Sequence, residues 1–348
     1  MSQELIHRRL LEEGITGSSP EARSWVRTHL QLEESSLDEY FGDGPLQTLL
    51  ADPEITEILV NGAQEIWTER AGKLTKTALN FSGDDSLRRY VRRMLAAQGK
   101  KIDHLQPFSD ATIHNRFRVH VAMSPIAELS TLLSIRKFPE KSWSLRELAA
   151  KGMFTAMQLQ FLQTAIRERK NIFVSGQTGA GKTTLLSALI SEVDPNERII
   201  ALEDISELKS EHPHFLKMQT RLANSEGEGE INLRRILKES LRMRPDRLVI
   251  GECRGEEALD LILALSSGHL GSMGTIHAGS PREALQRLEM LAVLGRSNIS
   301  EFAVKALIAS AVHIILQVQR CSDSRKLVSI CEVKGQDSGA FLLREQKM

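Results

Sequence analysis

Cysteine is scarce: the 348 residues hold only Cys253, Cys321 and Cys331, and no two of them form a CxxC pair. That excludes a disulfide framework, supplies no ligand set for a structural zinc and fits a reducing compartment. Long apolar runs are missing too. No stretch approaches the ~18 uninterrupted apolar residues of a membrane span, and the most apolar late segment, Ala306 to Val318, is broken by Ser310 and His313. The opening MSQELIHRRLLEEG mixes charges of both signs without an apolar core, so it does not read as a secretory signal. Net charge is absent as well, with Lys plus Arg and Asp plus Glu at 45 each. The chain as a whole therefore lacks the positive surplus that drives non-specific binding to nucleic-acid backbones, and no nucleic-acid partner is expected. Neither an internal repeat nor a long low-complexity tract is present.

What is present has globular proportions, 41% hydrophobic and 26% charged residues, in a chain long enough for two domains. Residues 1–44 show scattered helical periodicity (Trp25, Val26, Leu30, Leu37, Phe41) that ends in the breaker run Gly42 to Pro45, which reads as a helical lead-in. Residues 45–137 combine short alternating runs such as EITEILV, EIWTE, FRVHVAM and TLLSIRKF with one helical stretch, Ser86 to Ala97. This is the pattern of a compact α+β domain. A linker over 138–150, interrupted by Pro139, leads into a larger α/β domain at 151–348. There the runs NIFVSG, RIIALED, DRLVIGE and GSMGTIH are apolar throughout, as expected of strands in a mostly parallel sheet covered on both faces.

The strongest chemical signal is GQTGAGKT, comprising Gly176, Gln177, Thr178, Gly179, Ala180, Gly181, Lys182 and Thr183, with Thr184 following. It satisfies GxxxxGK[ST] between an apolar strand and a helical run, the context in which a glycine-rich loop cradles phosphates. Lys182 is placed to meet the β- and γ-phosphates of ATP, and Thr183 to hold Mg2+. Carboxylates end two further strand-like runs: Glu203 and Asp204 after RIIAL, and Glu252 after DRLVIG. Ligands of parallel α/β sheets lie beyond the carboxyl ends of the strands, so these residues face the same site. One of Glu203 and Glu252 can polarise the attacking water while the other orders magnesium and its waters. His277 shares this strand-end position and suits a sensor of the γ-phosphate; His269, eight residues earlier, sits at a glycine-flanked turn. The arginines offer a charge sensor. Arg116, Arg118 and Arg136 precede the loop, and Arg221, Arg242, Arg244, Arg247 and Arg254 follow it. Of these, Arg118 and Arg136 lie on strand-like runs outside the nucleotide domain and could couple hydrolysis to domain movement. The acidic, glycine-rich loop Asn224 to Glu230 reads as solvated.

Taken in order, these motifs resemble the ATPases of the type II/type IV secretion superfamily, and most closely the CpaF-type ATPases of tight-adherence (Flp-type) pilus systems. The resemblance runs from about Gly44 to Val333. It rests on GPLQTLLADPEITEILVNG, EIWTERAGKL, HLQPFSDA and FRVHVAMSPI with LSIRKF in the first domain. GQTGAGKT, the acidic box ALEDISEL, the Walker B equivalent LRMRPDRLVIGECRG and the histidine box GHLGSMGTIHAGSPREALQRLEML follow. The resemblance implies a RecA-like P-loop domain behind a PAS-like first domain, with Glu203 as general base, Glu252 as Walker B glutamate and His277 as nucleotide sensor. It also implies that Arg118 and Arg136 close over the phosphates, although Arg116 stands where the family's turn usually holds glycine. Beyond the single chain it implies a homohexamer at the cytoplasmic face of the inner membrane, acting on a platform protein. The tetracysteine zinc module of the type II branch is missing. A nucleic-acid translocase of the RecA-like group, or a nucleotide-gated scaffold without turnover, would share the phosphate loop.

Overall fold

The structure, a computed structural model, describes residues 20–30, 34–114, 116–128, 130–138, 142–221, 223, 228–295, 299–321 and 324–346. The chain divides into two compact units, Met1–Pro139 and Glu140–Met348.

In the first unit, β1 (Ile55–Asn61), β2 (Ile66–Arg70), β3 (Lys73–Lys76), β4 (Phe108–Ile113), β5 (Phe117–Ala122) and β6 (Leu132–Lys137) form one antiparallel sheet in the order β3-β2-β1-β6-β5-β4. Strand alternation sends Phe117, Val119 and Val121 of β5 and Leu133 and Ile135 of β6 inward. They pack with Leu87, Val91 and Leu95 of the helix Asp84–Ala96. The same alternation turns Arg118 and Arg136 to the opposite face, and the register sets them directly across from one another. Of the lead-in expected over residues 1–44, residues 1–19 and 31–33 lie outside the described ones; the helices Pro20–Leu30 and Glu34–Phe41 bury Ala22, Val26, Leu37 and Tyr40 between them. Arg93 donates to the carbonyls of Tyr40 and Gly42, and Glu39 accepts from Ser82 and Ser86. Residues 39–42 are thus fastened to the helix Asp84–Ala96 and the turn before it by polar contacts that helical periodicity does not foretell.

In the second unit β7 (Ile172–Ser175), β8 (Ile199–Glu203), β9 (Phe215–Gln219), β10 (Arg247–Ile250), β11 (Met273–Ile276), β12 (Ile314–Cys321), β13 (Ser324–Asp337) and β14 (Ala340–Glu345) form a sheet ordered β14-β13-β12-β7-β11-β10-β8-β9. From β12 to β9 every neighbouring pair is parallel; β13 and β14 extend the sheet antiparallel. The four apolar runs of the sequence are β7, β8, β10 and β11, and every residue in them is buried. Successive side chains alternate between two cores. Phe173, Ile200, Leu202, Leu248 and Ile250 pack with the helices Glu257–Ser266 and Pro281–Leu294. Ile172, Val174, Ile199, Ala201 and Val249 pack with Ala156–Arg167 and Lys182–Ile190. Both faces of the sheet are covered, which is why these strands lack polar alternation. The late apolar segment divides between the helix Glu301–Ala311 and β12. Among the described residues no helix is long and apolar enough to cross a membrane.

A buried asparagine joins the amino ends of the central strands. Asn171 Nδ2 donates to the Ala311 carbonyl at 2.6 Å, its Oδ1 accepts from Ser272 N at 3.1 Å, and its backbone N–H donates to His313 Nδ1 at 2.9 Å. Burial, with Lys170 nearby, holds the His313 ring below its ordinary value, which keeps Nδ1 an acceptor. Asn171→Ala leaves one buried donor and one buried acceptor unpaired, so urea unfolding should show a loss of about 3 kcal/mol. A loss below about 0.5 kcal/mol would mean that water replaces the side chain at no cost.

Candidate nucleotide site

The loop that follows β7 turns on two glycines in the left-handed region, Gly179 at φ +74° and Gly181 at φ +95°. That region is strained for residues with a side chain and open to glycine. Gly181 is the N-cap of the helix Lys182–Ile190, and no side chain caps it. The amide groups of the helix's first turn therefore face the loop, where the helix dipole favours an anion. Gln177 and Thr178 are exposed at the crest, Ala180 is buried, and Thr183 and Thr184 are half-buried in the first turn. Lys182 is 9% exposed, and its Nζ donates to the carbonyls of Gly176 at 3.0 Å and Gln177 at 3.1 Å.

Strand order sets the neighbours of this loop. Next to β7 lies β11, then β10, then β8. The registers pair Ser175 with Ile276 and Ile250 with Leu202, so all four strands end at a common edge. The edge carries the phosphate loop, His277, Gly251 with Glu252, and Glu203. His277 is half-buried directly after β11.

Glu203 is only 3% exposed. Its Oε1 accepts from the backbone N–H groups of Glu207 at 2.9 Å and Leu208 at 2.8 Å, while Oε2 is buried with no hydrogen-bond partner. Burial pushes the carboxyl up to about 7, against the opposing pull of those two amides and of Lys217. The side chain lies across Gly251, where an added Cβ would sit 2.9 Å from Glu203 Cγ. Glu252 differs. Burial would raise its carboxyl, but the ion pair with Arg254, together with the charges of Lys182 and His277, holds it below its ordinary range. The same balance places Lys182 and His277 each within electrostatic reach of Glu252. Glu257 Oε1 accepts from the N–H groups of Arg254 at 2.7 Å and Gly255 at 2.8 Å and so fixes the turn that presents Glu252. One of the two carboxylates is thus held ionised by a cation, and the other titrates near pH 7 with one oxygen unpartnered. Environments split in this way suit a charge-holding role for Glu252 and an acid–base role for Glu203.

Not every residue of the sequence reading joins this edge. His269 is bonded through Nδ1 to the Ala264 carbonyl at 3.1 Å and precedes β11, at the opposite end of the strand. Arg247 starts β10, is 2% exposed and forms a bidentate pair with Glu197 at 2.7 and 2.9 Å, a packing role far along the strand from Glu252. Arg242 meets Glu239 at the surface, and Arg221 donates to the Gly229 carbonyl at 2.7 Å across the acidic loop, in which residues 224–227 lie outside the described ones. Pro139 also falls outside them. Arg118 and Arg136 belong to the first unit, directly opposite one another on one sheet face with Glu57 beside Arg136. Like charges so paired are mutually unfavourable, and Glu57 offsets part of that repulsion at Arg136. Sequence reasoning passed over Gly251 and Glu257, whose roles depend on contacts that spacing alone does not reveal. Among the described residues no three His, Cys, Asp or Glu side chains converge as metal ligands.

A parallel sheet with a glycine-rich loop between its central strand and the next helix, and acid-bearing strand ends beside that loop, defines a RecA-like P-loop nucleotide domain. The comparisons agree. Residues 39–347 match the model of the family described as type II/IV secretion system protein, and the chain belongs to that family. A Mycobacterium tuberculosis protein named as a candidate conjugal transfer protein is 36% identical over 307 residues, covering 86% of this chain and 87% of its own. The type IV secretion system protein PtlH of Bordetella pertussis is 30% identical over 331 residues, covering 87% and 93%. The fold is shared with the Legionella pneumophila ATPase DotB at a TM-score of 0.57 and 18% identity, over 82% of this chain and 78% of that one. These matches define the superfamily and do not single out its CpaF-type branch.

The carboxyl carbon of Glu203, followed by NMR, should titrate near pH 7, where burial places it. A titration near the ordinary 4.5 would contradict the enclosed, half-satisfied carboxyl. Gly251→Ala should displace that side chain and move its titration toward the ordinary value, and an unmoved titration would show that the glycine is incidental.

Proposed function

We propose that this chain is an ATP-hydrolysing motor of the CpaF-type branch, working as a homohexamer on a membrane platform protein to drive pilus assembly or protein secretion. The observation that carries the enzymatic reading is the shared strand edge: a phosphate loop and, two and three strands away, one ionised glutamate and one that titrates near pH 7. The conjugal-transfer and type IV secretion names of the relatives support work on a transport assembly. The branch assignment rests on the motifs of the first domain, residues 45–137, and the ATPase domain is taken as 151–348. A place at the cytoplasmic face of the inner membrane follows from the same kinship.

In this reading the amides of Gly179 and of Gly181 to Thr184 and the Lys182 ammonium hold the triphosphate of ATP. Lys182 exchanges its two carbonyl contacts for phosphate oxygens. Magnesium, when bound, neutralises charge on the β- and γ-phosphates; the Thr183 hydroxyl and Glu252, the latter partly through water, are the groups that would hold it. The donors fit, being a hydroxyl and a carboxylate already ionised by its surroundings. Glu203 Oε2, enclosed and without a protein hydrogen-bond partner, is the oxygen assigned to accept a proton from the attacking water. His277, next to the loop, reports the γ-phosphate. Arg118 and Arg136 supply positive charge from the first domain.

Lys182→Ala should abolish ATP binding, whereas Glu203→Gln should bind ATP and release phosphate ~100-fold more slowly or worse. Parental turnover in Lys182→Ala would dismiss the loop as the site, and loss of turnover in Glu252→Gln but not in Glu203→Gln would exchange the two roles. Because the base must be ionised, kcat should rise about tenfold between about pH 6 and about pH 8. A flat profile would exclude a base of that affinity.

A further inference from the structure

The phosphate loop is reached by a side chain that neither its motif nor the neighbouring strand ends announce. Arg325, in β13, donates from Nε to the Gly179 carbonyl at 3.0 Å. Its stem lies across Gly181, since a Cβ built there would come within 2.9 Å of Arg325 Cδ. The peptide that begins with this carbonyl ends in the N–H of Ala180, which donates to the Gln177 carbonyl at 3.2 Å. One peptide plane at the crest is therefore held at both ends, by the β12–β13 hairpin on one side and by the loop's own start on the other. Gly179, in the left-handed region at one end of this plane, leaves it free to turn on that side. A flip of this plane would break both contacts and disturb the crest that the neighbouring amides depend on.

We propose that Arg325 is a positioning residue for nucleotide binding, fixing the crest of the phosphate loop before the triphosphate arrives. The inference rests on the reading of this loop as the nucleotide site and adds a residue to it. Pre-setting the loop removes an ordering cost from the binding step, so the effect belongs to affinity and not to the chemical step. Arg325 is itself exposed, which makes a role in core stability a poor account of the contact. Directly across the hairpin stands Arg320, equally charged, exposed, and with no hydrogen bond to the loop among the described residues. It supplies the control, since removing either arginine changes the net charge near the site by the same amount.

The test measures dissociation constants for a fluorescent ADP in magnesium buffer, and ATP turnover, for the full chain. Arg325→Ala should raise the dissociation constant and KM about tenfold, the worth of a hydrogen bond to a charged donor, with kcat at saturation changed less than about twofold. Arg320→Ala should shift affinity less than about twofold. Equal weakening by both substitutions would mean that only diffuse charge matters and would overturn the proposal. So would unchanged affinity in Arg325→Ala beside normal wild-type binding. A wild-type chain that binds no nucleotide would remove the site reading, and this inference with it.

Discussion

The alignment of four parallel strand ends is the constraint on which the rest of the site depends. Because β7, β11, β10 and β8 lie side by side in parallel register, residues from segments far apart in the chain arrive along one edge. A slip of one residue in any of these pairings would turn the strand's side chains to the other face and dissolve the constellation. Complete burial of the four strands on both faces makes such a slip costly, since each alternates its apolar side chains between two filled cores.

That security allows the edge to carry a residue that folding alone would not favour. Glu203 is enclosed with one oxygen unpartnered, and its carboxyl is raised from 4.5 to about 7. Between those values the folded chain binds more protons than the unfolded one, so its stability falls as pH rises, by about 3 kcal/mol in all. Glutamine or an apolar residue would avoid this penalty. A buried and incompletely satisfied acid, braced by Gly251 on one side and two amides on the other, is an arrangement that suits the acid–base role proposed for it. Glu252 shows the opposite tuning two residue positions beyond the end of β10, where Arg254 keeps it charged.

Much of this was legible in the sequence. Strand-length apolar runs located β7, β8, β10 and β11, the GxxxxGK[ST] spacing located the loop, and the end of each run pointed to Glu203, Glu252 and His277. The strand-like runs placed Arg118 and Arg136 in the first domain, while their position across from one another comes from the register of β5 and β6. What spacing could not provide was anything fixed by contact between distant segments. Arg247 and Arg254 are equivalent as letters, yet one is locked against Glu197 at the start of its strand and the other pairs with Glu252 beyond its end. Arg325 lies 146 residues from the glycine it holds, a partnership created by the β12–β7 pairing. The unequal tuning of the two glutamates likewise depends on burial and neighbours, which no local pattern encodes.

A structure of the full chain with magnesium and a non-hydrolysable ATP analogue tests the central claim most directly. The account predicts the γ-phosphate at the Lys182 ammonium, with a water hydrogen-bonded to Glu203 Oε2 and in line for attack. A γ-phosphate bound there with that water held by Glu252 instead, and Glu203 Oε2 still enclosed and unpartnered, would contradict it.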